Sequence, residues 1–223
     1  MRIYSIFNSI DGEVNSFGQG TFSTFIRFAG CNLQGGSKCE YCDTEYAQES
    51  KIEQEMGYDQ VMQEIEKIGC RKITITGGEP LLQREFWLIA EGLDIKGYQV
   101  TVETNGTIPI DNIHAADCWI MDYKLHPHKE KVKHFLFHAL RRQDFVKFVI
   151  RNRGNYIDAK KAMERLLMEG VKAQFAMSPA FDSLNAMPGK EGEQLIKWMQ
   201  KDKLFHVKLN VQIHKLLGLV EDF

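Results

Sequence analysis

Short β-rich runs that each stop at a polar or glycine-bearing motif recur along the chain, and this recurrence constrains the fold more than any other feature. Residues 21–28 alternate Phe22, Thr24, Ile26 and Phe28 against Ser23, Phe25 and Arg27, and lead into Gly30 and Cys31. The run 72–75 stops at Thr76-Gly77-Gly78-Glu79-Pro80, and the run 99–102 at Glu103-Thr104-Asn105-Gly106. The same reading applies to 119–121 before Asp122-Tyr123-Lys124, to 145–150 before Arg151-Asn152, to 171–176 before Met177-Ser178-Pro179, and to 207–213 before His214-Lys215. Between them lie segments of helical period, such as 58–68 with Val61, Met62, Ile65 and Ile68, and 155–168 with Ile157, Ala162, Leu166 and Leu167. Strands alternating with helices predict a parallel sheet with right-handed crossovers. With 223 residues the chain falls short of the ~250 of a full eight-fold barrel. The expectation is therefore one α/β domain over residues 1–223, an incomplete TIM-like barrel of about six parallel strands. Its ligand site belongs at the carboxyl ends of the strands, where the polar motifs fall.

Charge narrows the ligand. Lys and Arg number 28 against 30 Asp and Glu, a net charge of -2. With no basic surplus, neither nucleic acid nor a membrane surface is an expected partner, and a small molecule is. The first residues are too polar for a signal peptide, and no apolar run approaches the ~20 residues of a membrane span. The 5 cysteines are odd in number. Together these features predict a cytoplasmic protein without a disulfide framework.

Cys31, Cys39 and Cys42 stand as C-x7-C-x2-C in a loop containing Gly35 and Gly36, directly after the first expected strand. The grouping suits a metal, and the spacing alone leaves three readings open. They are an iron-sulfur cluster, a structural zinc site completed by Cys70, Cys118 or a distant His, and unliganded thiols. Cys70 and Cys118 read as buried thiols beside strands. His126 with His128 and His134 with His138 share a Lys-rich segment read as lacking the acidic partner that a closed zinc site would need, which argues against a second metal centre.

The surroundings of the cysteines carry a resemblance. Arg27-Phe28-Ala29-Gly30-Cys31-Asn32-Leu33, Cys39-Glu40-Tyr41-Cys42-Asp43-Thr44 and Thr76-Gly77-Gly78-Glu79-Pro80 together resemble the radical S-adenosylmethionine (SAM) superfamily. Within it, Ser9-Ile10-Asp11-Gly12-Glu13, Cys42-Asp43-Thr44 and Gln212-Ile213-His214-Lys215 look like the 7-carboxy-7-deazaguanine synthase family of queuosine precursor synthesis, over nearly the whole chain. The superfamily spacing is C-x3-C-x2-C, so this chain has a first gap longer by four residues, a loop that the synthase family varies. It also has Asp11 where the family commonly has Gln, and Val14 where it has Gly.

The resemblance implies a radical SAM lyase that converts 6-carboxy-5,6,7,8-tetrahydropterin to 7-carboxy-7-deazaguanine with loss of ammonia. Cys31, Cys39 and Cys42 would hold a 4Fe-4S cluster with one open iron, and Thr44 a Mg²⁺ ion. SAM would lie against Tyr41, Cys42, Asp43, Gly78, Glu79, Glu103, Asn105, Asp122, Tyr123, Lys124, Met177, Ser178 and Pro179. The substrate would lie against Ile10, Asp11, Gly12, Glu13, Arg27, Thr76, His214 and Lys215, with the planar fork of Arg27 suited to a carboxylate. No residue is singled out as a catalytic acid or base. An N-terminal substrate turn and a C-terminal strand and tail would close the site. Val220 to Phe223 move the chain end up to ~13 Å past Leu219, which favours His214 or Lys215 over the terminal carboxylate as the nearer substrate contact. A flavodoxin or ferredoxin would supply electrons, and the active form would be a homodimer. Two alternatives stand beside this reading: a glycyl-radical activating enzyme, and a non-catalytic zinc-stapled interaction domain.

Overall fold

The strands expected from the sequence form, and two more join them at one edge. The computed structural model describes residues 1–33, 39, 41, 42, 44–47, 54–125, 128, 131–180 and 189–219. Strand β1 (Arg2–Ile10) runs antiparallel to β2 (Phe22–Phe28), and the two-residue β3 (Gln54–Glu55) runs antiparallel to β1. From β2 onward the sheet is parallel, through β4 (Lys72–Gly77), β5 (Gln99–Thr104), β6 (Cys118–Asp122), β7 (Phe145–Ile150), β8 (Gln174–Pro179) and the short β9 (Lys208–Leu209). The order is β3-β1-β2-β4-β5-β6-β7-β8-β9, with β3 and β9 as unpaired edges among the described residues. The result is an open α/β sheet, the partial barrel that the sequence predicts.

Two differences from expectation have physical reasons. The antiparallel β1 is not anticipated, because Ser5, Asn8 and Ser9 interrupt its apolar positions and the register shifts between Ile3 and Ser5, which hides a clean period of two. The strand expected over 207–213 shrinks to Lys208–Leu209 because Asn210 and Gln212 turn their amides toward Glu13 instead.

Helices α1 (Tyr58–Ile68), α2 (Phe86–Ile95), α3 (Arg153–Met168) and α4 (Gly189–Lys201) follow strands, and a single turn, α5 (Ile213–Leu216), follows β9. Helix α1 buries Val61, Met62 and Ile65 along one stripe, and Gln60 accepts from the Gly57 amide at 2.7 Å to satisfy its first turn. Helix α3 starts where Asn152 caps the amide of Asn155 at 2.9 Å, and it buries Tyr156, Ala159, Met163 and Leu166.

Alternation along the strands divides the side chains into two sets. Ile73, Ile75, Val100, Val102, Trp119, Met121, Val146 and Phe148 form the large outer core beneath the helices. Burial of each such side chain contributes roughly 1.5–3 kcal/mol. On the inner side, Val14, Cys118, Ile120, Phe145 and Ala176 make a smaller plug. Above that plug the strand ends open into a pocket. Burial pushes the Cys118 thiol up to about 11, in keeping with a buried thiol. Cys70, by contrast, is only half-buried, because it precedes β4 at the rim and donates to the Phe22 carbonyl at 3.5 Å. No helix among the described residues is long and apolar enough to cross a membrane.

Candidate active site

The pocket is built from the carboxyl end of every long parallel strand, together with the turn after β1 and the segment after β9. Phe25 and Arg27 of β2 line it, as do Cys31, Cys39, Tyr41, Cys42 and Thr44 of the following loop. Strand β4 contributes Thr76, Gly77 and Gly78, and β5 contributes Glu103, Thr104 and Asn105. Asp122 and Lys124, then Lys147, then Ser178 and Pro179 continue the wall across β6, β7 and β8. Gly12 and Glu13 meet Gln212, His214 and Lys215 on the far side.

The cysteine side is framed by backbone. Gly78 donates to the Phe28 carbonyl at 3.1 Å and Glu79 to that of Gly30 at 2.8 Å, drawing the end of β4 against the loop that starts at Cys31. A Cβ on Gly78 would lie 2.1 Å from the Gly30 oxygen and 3.1 Å from the Cys31 Cβ, so only glycine permits this approach. The Glu79 side chain faces away from the pocket, fully buried. It accepts from the Leu81 amide at 3.1 Å, the Thr104 hydroxyl at 2.8 Å and the Asn105 amide at 2.7 Å, and so fastens the end of β4 to the end of β5. Burial pushes its carboxyl up to about 7 against those three bonds.

All three thiols of the cysteine group are free of disulfides and open onto the pocket. The Leu33 amide points at the Cys31 sulfur from 3.4 Å and the Asn105 side-chain amide from 3.8 Å. The Cys42 amide donates to the Cys39 carbonyl at 3.1 Å, and the Cys42 sulfur lies 3.8 Å from the Thr44 hydroxyl. Three thiols with amide donors aimed at one of them are a donor set that fits an iron-sulfur cluster, whose sulfurs are tuned by such bonds. Among the described residues no three His, Cys, Asp or Glu side chains are grouped to hold a single metal ion.

The opposite side is framed by charge. Lys147 lies 3.1 Å from Glu13 and 3.3 Å from Asp122, and Lys124 lies 2.7 Å from the other oxygen of Asp122. Burial disfavours the ammonium of Lys147, but Asp122, Glu13 and Glu103 outweigh it and raise its pKa. Burial likewise opposes ionisation of Asp122, yet the two lysines hold its carboxyl below the usual range. Thr76 donates to Glu103 at 2.9 Å, and burial, with the negative charges of Glu13 and Asp11, pushes Glu103 up to about 8. Asn210 donates to Glu13 and, at 3.3 Å, to Ser178, while Gln212 donates to Glu13 at 2.8 Å. The Val14 amide and the Gln19 side chain both donate to the side-chain oxygen Oδ1 of Asn210 at 2.9 Å. Side chains thereby join the two ends of the open sheet. Above them the guanidinium of Arg27 lies 5.6 Å from the Phe7 ring and 5.7 Å from the Tyr46 ring. A Cβ on Gly12 would meet the His214 ring at 2.3 Å, so this glycine lets the histidine close over the turn.

The candidates from the sequence therefore separate by position. Gly12, Glu13, Arg27, Cys31, Cys39, Tyr41, Cys42, Thr44, Thr76, Gly78, Glu103, Asn105, Asp122, Lys124, Ser178, Pro179, His214 and Lys215 line one pocket. Glu79 and Asp11 stand behind its walls, Ile10 ends β1, and Met177 belongs to the outer core. Tyr123 also points to the outer core and bonds to His134 at 2.8 Å, since it alternates with Asp122 and Lys124. Asp43, residues 34–38 of the enlarged loop and the terminal residues 220–223 lie outside the described residues. The histidine pair has an acidic neighbour that the sequence does not reveal, because Glu169 approaches His138 at 3.4 Å and His134 at 3.9 Å. Sequence reasoning misses Lys147, whose signal is a lysine inside the apolar run Phe145 to Ile150, and Asn210, which carries no local signal.

Comparison with known proteins agrees with this arrangement. The Radical SAM superfamily pattern matches residues 25–201. The 7-carboxy-7-deazaguanine synthase of Clostridium acetobutylicum is 33% identical over 227 aligned residues, covering 97% of this chain and 95% of the relative. That of Koribacter versatilis is 32% identical over 99% of this chain and 98% of its own length. The crystal structure of QueE from Escherichia coli superposes with a TM-score of 0.71 at 18% identity, over 95% of this chain and 93% of that one, a likeness of fold. On this evidence, set beside a cysteine-lined pocket at the strand ends, the chain belongs to the radical SAM superfamily and, within it, to the 7-carboxy-7-deazaguanine synthase family.

Proposed function

We propose that this chain is a lyase that converts 6-carboxy-5,6,7,8-tetrahydropterin to 7-carboxy-7-deazaguanine. The observation that carries the reading is the meeting of three thiols outside any disulfide, Arg27 and the Glu13–Lys147–Asp122 charge cluster in one pocket. Loss of ammonia accounts for the whole difference in composition between that substrate and product, so the conversion needs no net oxidant. A 4Fe-4S cluster on Cys31, Cys39 and Cys42, with SAM bound, supplies one-electron cleavage and hence hydrogen-atom abstraction.

The chain's own residues bind, orient and manage protons. Arg27, set beside the Phe7 and Tyr46 rings, offers its fork to the substrate carboxylate. Glu13, with its position fixed by Lys147, Asn210 and Gln212, accepts from the N–H edge of the pterin. Glu103, whose carboxyl burial raises to about 8 and which accepts from Thr76, is assigned here not to SAM but to the substrate, to which it would offer a carboxylic proton. Tyr41, Asn105, Asp122, Lys124 and Ser178 remain for SAM. Thr44 is assigned to Mg²⁺, which takes few protein oxygens and fills its shell with water and substrate. A flavodoxin or ferredoxin as donor, a homodimer and a cytoplasmic setting complete the proposal.

The test is Arg27→Lys, which keeps the charge and loses the fork. Pterin affinity should fall about tenfold or more, as expected when a charge-assisted bidentate contact is lost, with SAM binding retained. Equal pterin binding by variant and parent would remove Arg27 from the substrate site.

A further inference from the structure

The inner face of β4 carries a second polar cluster, below the pocket, that no step above uses. Its successive inward residues are Lys72, Thr74 and Thr76. Thr76 reaches Glu103 in the pocket, whereas Lys72 and Thr74 reach down to the turn that follows β1. The Lys72 ammonium lies 3.0 Å from Asp11 Oδ2, donates to Thr21 Oγ1 at 2.7 Å and to Asn15 Oδ1 at 3.4 Å. Three oxygens from one turn thus share one buried cation. Asp11 is 0% exposed and outside the pocket lining. Its Oδ2 also accepts from the Thr74 hydroxyl at 3.0 Å, and its Oδ1 from the backbone amide of Glu13 at 3.2 Å. A carboxylate engaged in this way has nothing to offer a ligand. It holds the backbone of the next residues, Gly12 and Glu13, which do line the pocket.

We propose that Asp11 and Lys72 are a positioning pair for substrate recognition. They set the place of the Glu13 carboxylate from beneath the floor and so govern affinity for the pterin without touching it. This rests on the reading of the pocket as a pterin site. Asp at position 11 is then matched by Lys at position 72, and the two act as a unit. Removing one charge leaves the other buried and unpaired, which is costly, whereas replacing both restores neutrality. The turn swings or loosens when the pair is broken, and small displacements of a binding group cost affinity steeply. None of these contacts reaches a residue assigned to SAM, so SAM binding is spared.

The experiment measures pterin and SAM binding by equilibrium dialysis on anaerobically reconstituted protein. Lys72→Met should weaken pterin binding about tenfold or more while cluster absorbance and SAM binding stay at parental values. Asp11→Asn, which is isosteric and leaves the Lys72 ammonium its bonds to Thr21 and Asn15, carries the same expectation. Combining the two should bring pterin affinity back to within about threefold of the parent. Unchanged pterin binding in either single variant overturns the pair alone, as does parallel loss of pterin and SAM binding, or a double variant no better than the worse single one. Absence of pterin binding by the unsubstituted protein overturns the pterin reading and the pair with it.

Discussion

Glu79 and Glu13 are both buried carboxylates beside the same pocket, yet Glu79 is met by three neutral donors and Glu13 by an ammonium and two side-chain amides. The bonds of Glu79 tie neighbouring strand ends of one sheet, at positions fixed by the parallel register of β4 and β5. Those of Glu13 reach nearly the length of the chain, to Asn210 and Gln212. One wall of the pocket is therefore part of the frame and exists once the sheet does. The other is assembled from side chains when the open sheet brings its two ends together. A frame of backbone and neutral bonds suits the invariable cofactor, while the assembled charges serve both ligands, Asp122 and Lys124 facing SAM and Glu13 the particular substrate.

Cys42→Ala tests the frame side with the largest effect. It should abolish the brown colour and the iron and sulfide content after anaerobic reconstitution, and a variant that keeps both in full would remove Cys42 from the cluster. Glu79→Ala against Glu13→Gln sharpens the contrast. The first leaves three buried donors without their acceptor and should cost about 3 kcal/mol in urea denaturation. The second leaves Lys147 its bond to Asp122 and should cost about 1 kcal/mol or less while pterin binding is lost. Equal stability losses would erase the distinction between the two walls.

Glu103 gives the contrast a pH dependence. Its carboxyl rises from 4.5 to about 8 on folding, so the folded state holds a proton that the unfolded chain releases. The stability it contributes is complete below 4.5 and is lost as pH rises through about 8. Urea midpoints between those limits should therefore fall less steeply with pH in Glu103→Gln than in the parent, and parallel curves would contradict the protonated state. Thr44→Val should have the smallest effect, raising the Mg²⁺ concentration needed for turnover with little change in fold. An unchanged requirement would count against Mg²⁺ ligation.

The frame was largely legible in the sequence, and so were Glu13, Asp122, Lys124 and His214 of the assembled wall, but not the residues that hold Glu13 in place. Helix α1 is found at 58–68 because its apolar stripe is local and Gly69, at φ 76°, ends it. The strand ends are found because Thr76-Gly77-Gly78 and Glu103-Thr104-Asn105 interrupt apolar runs. Lys147, Asn210 and the Asp11–Lys72 pair are invisible because their partners come from distant segments, and no local period encodes such a pairing. Tyr123 shows the complementary error, since a motif read as a block places alternate residues on opposite faces.

The central claim, that this pocket turns a pterin into a deazapurine, is tested most directly by product analysis. The reconstituted protein is incubated anaerobically with SAM, dithionite and 6-carboxy-5,6,7,8-tetrahydropterin, and the mixture is resolved by mass spectrometry. The account predicts 7-carboxy-7-deazaguanine, lighter than the substrate by the mass of ammonia, with free ammonia in equal amount. Formation of methionine and 5′-deoxyadenosine while the pterin is recovered unchanged would contradict it.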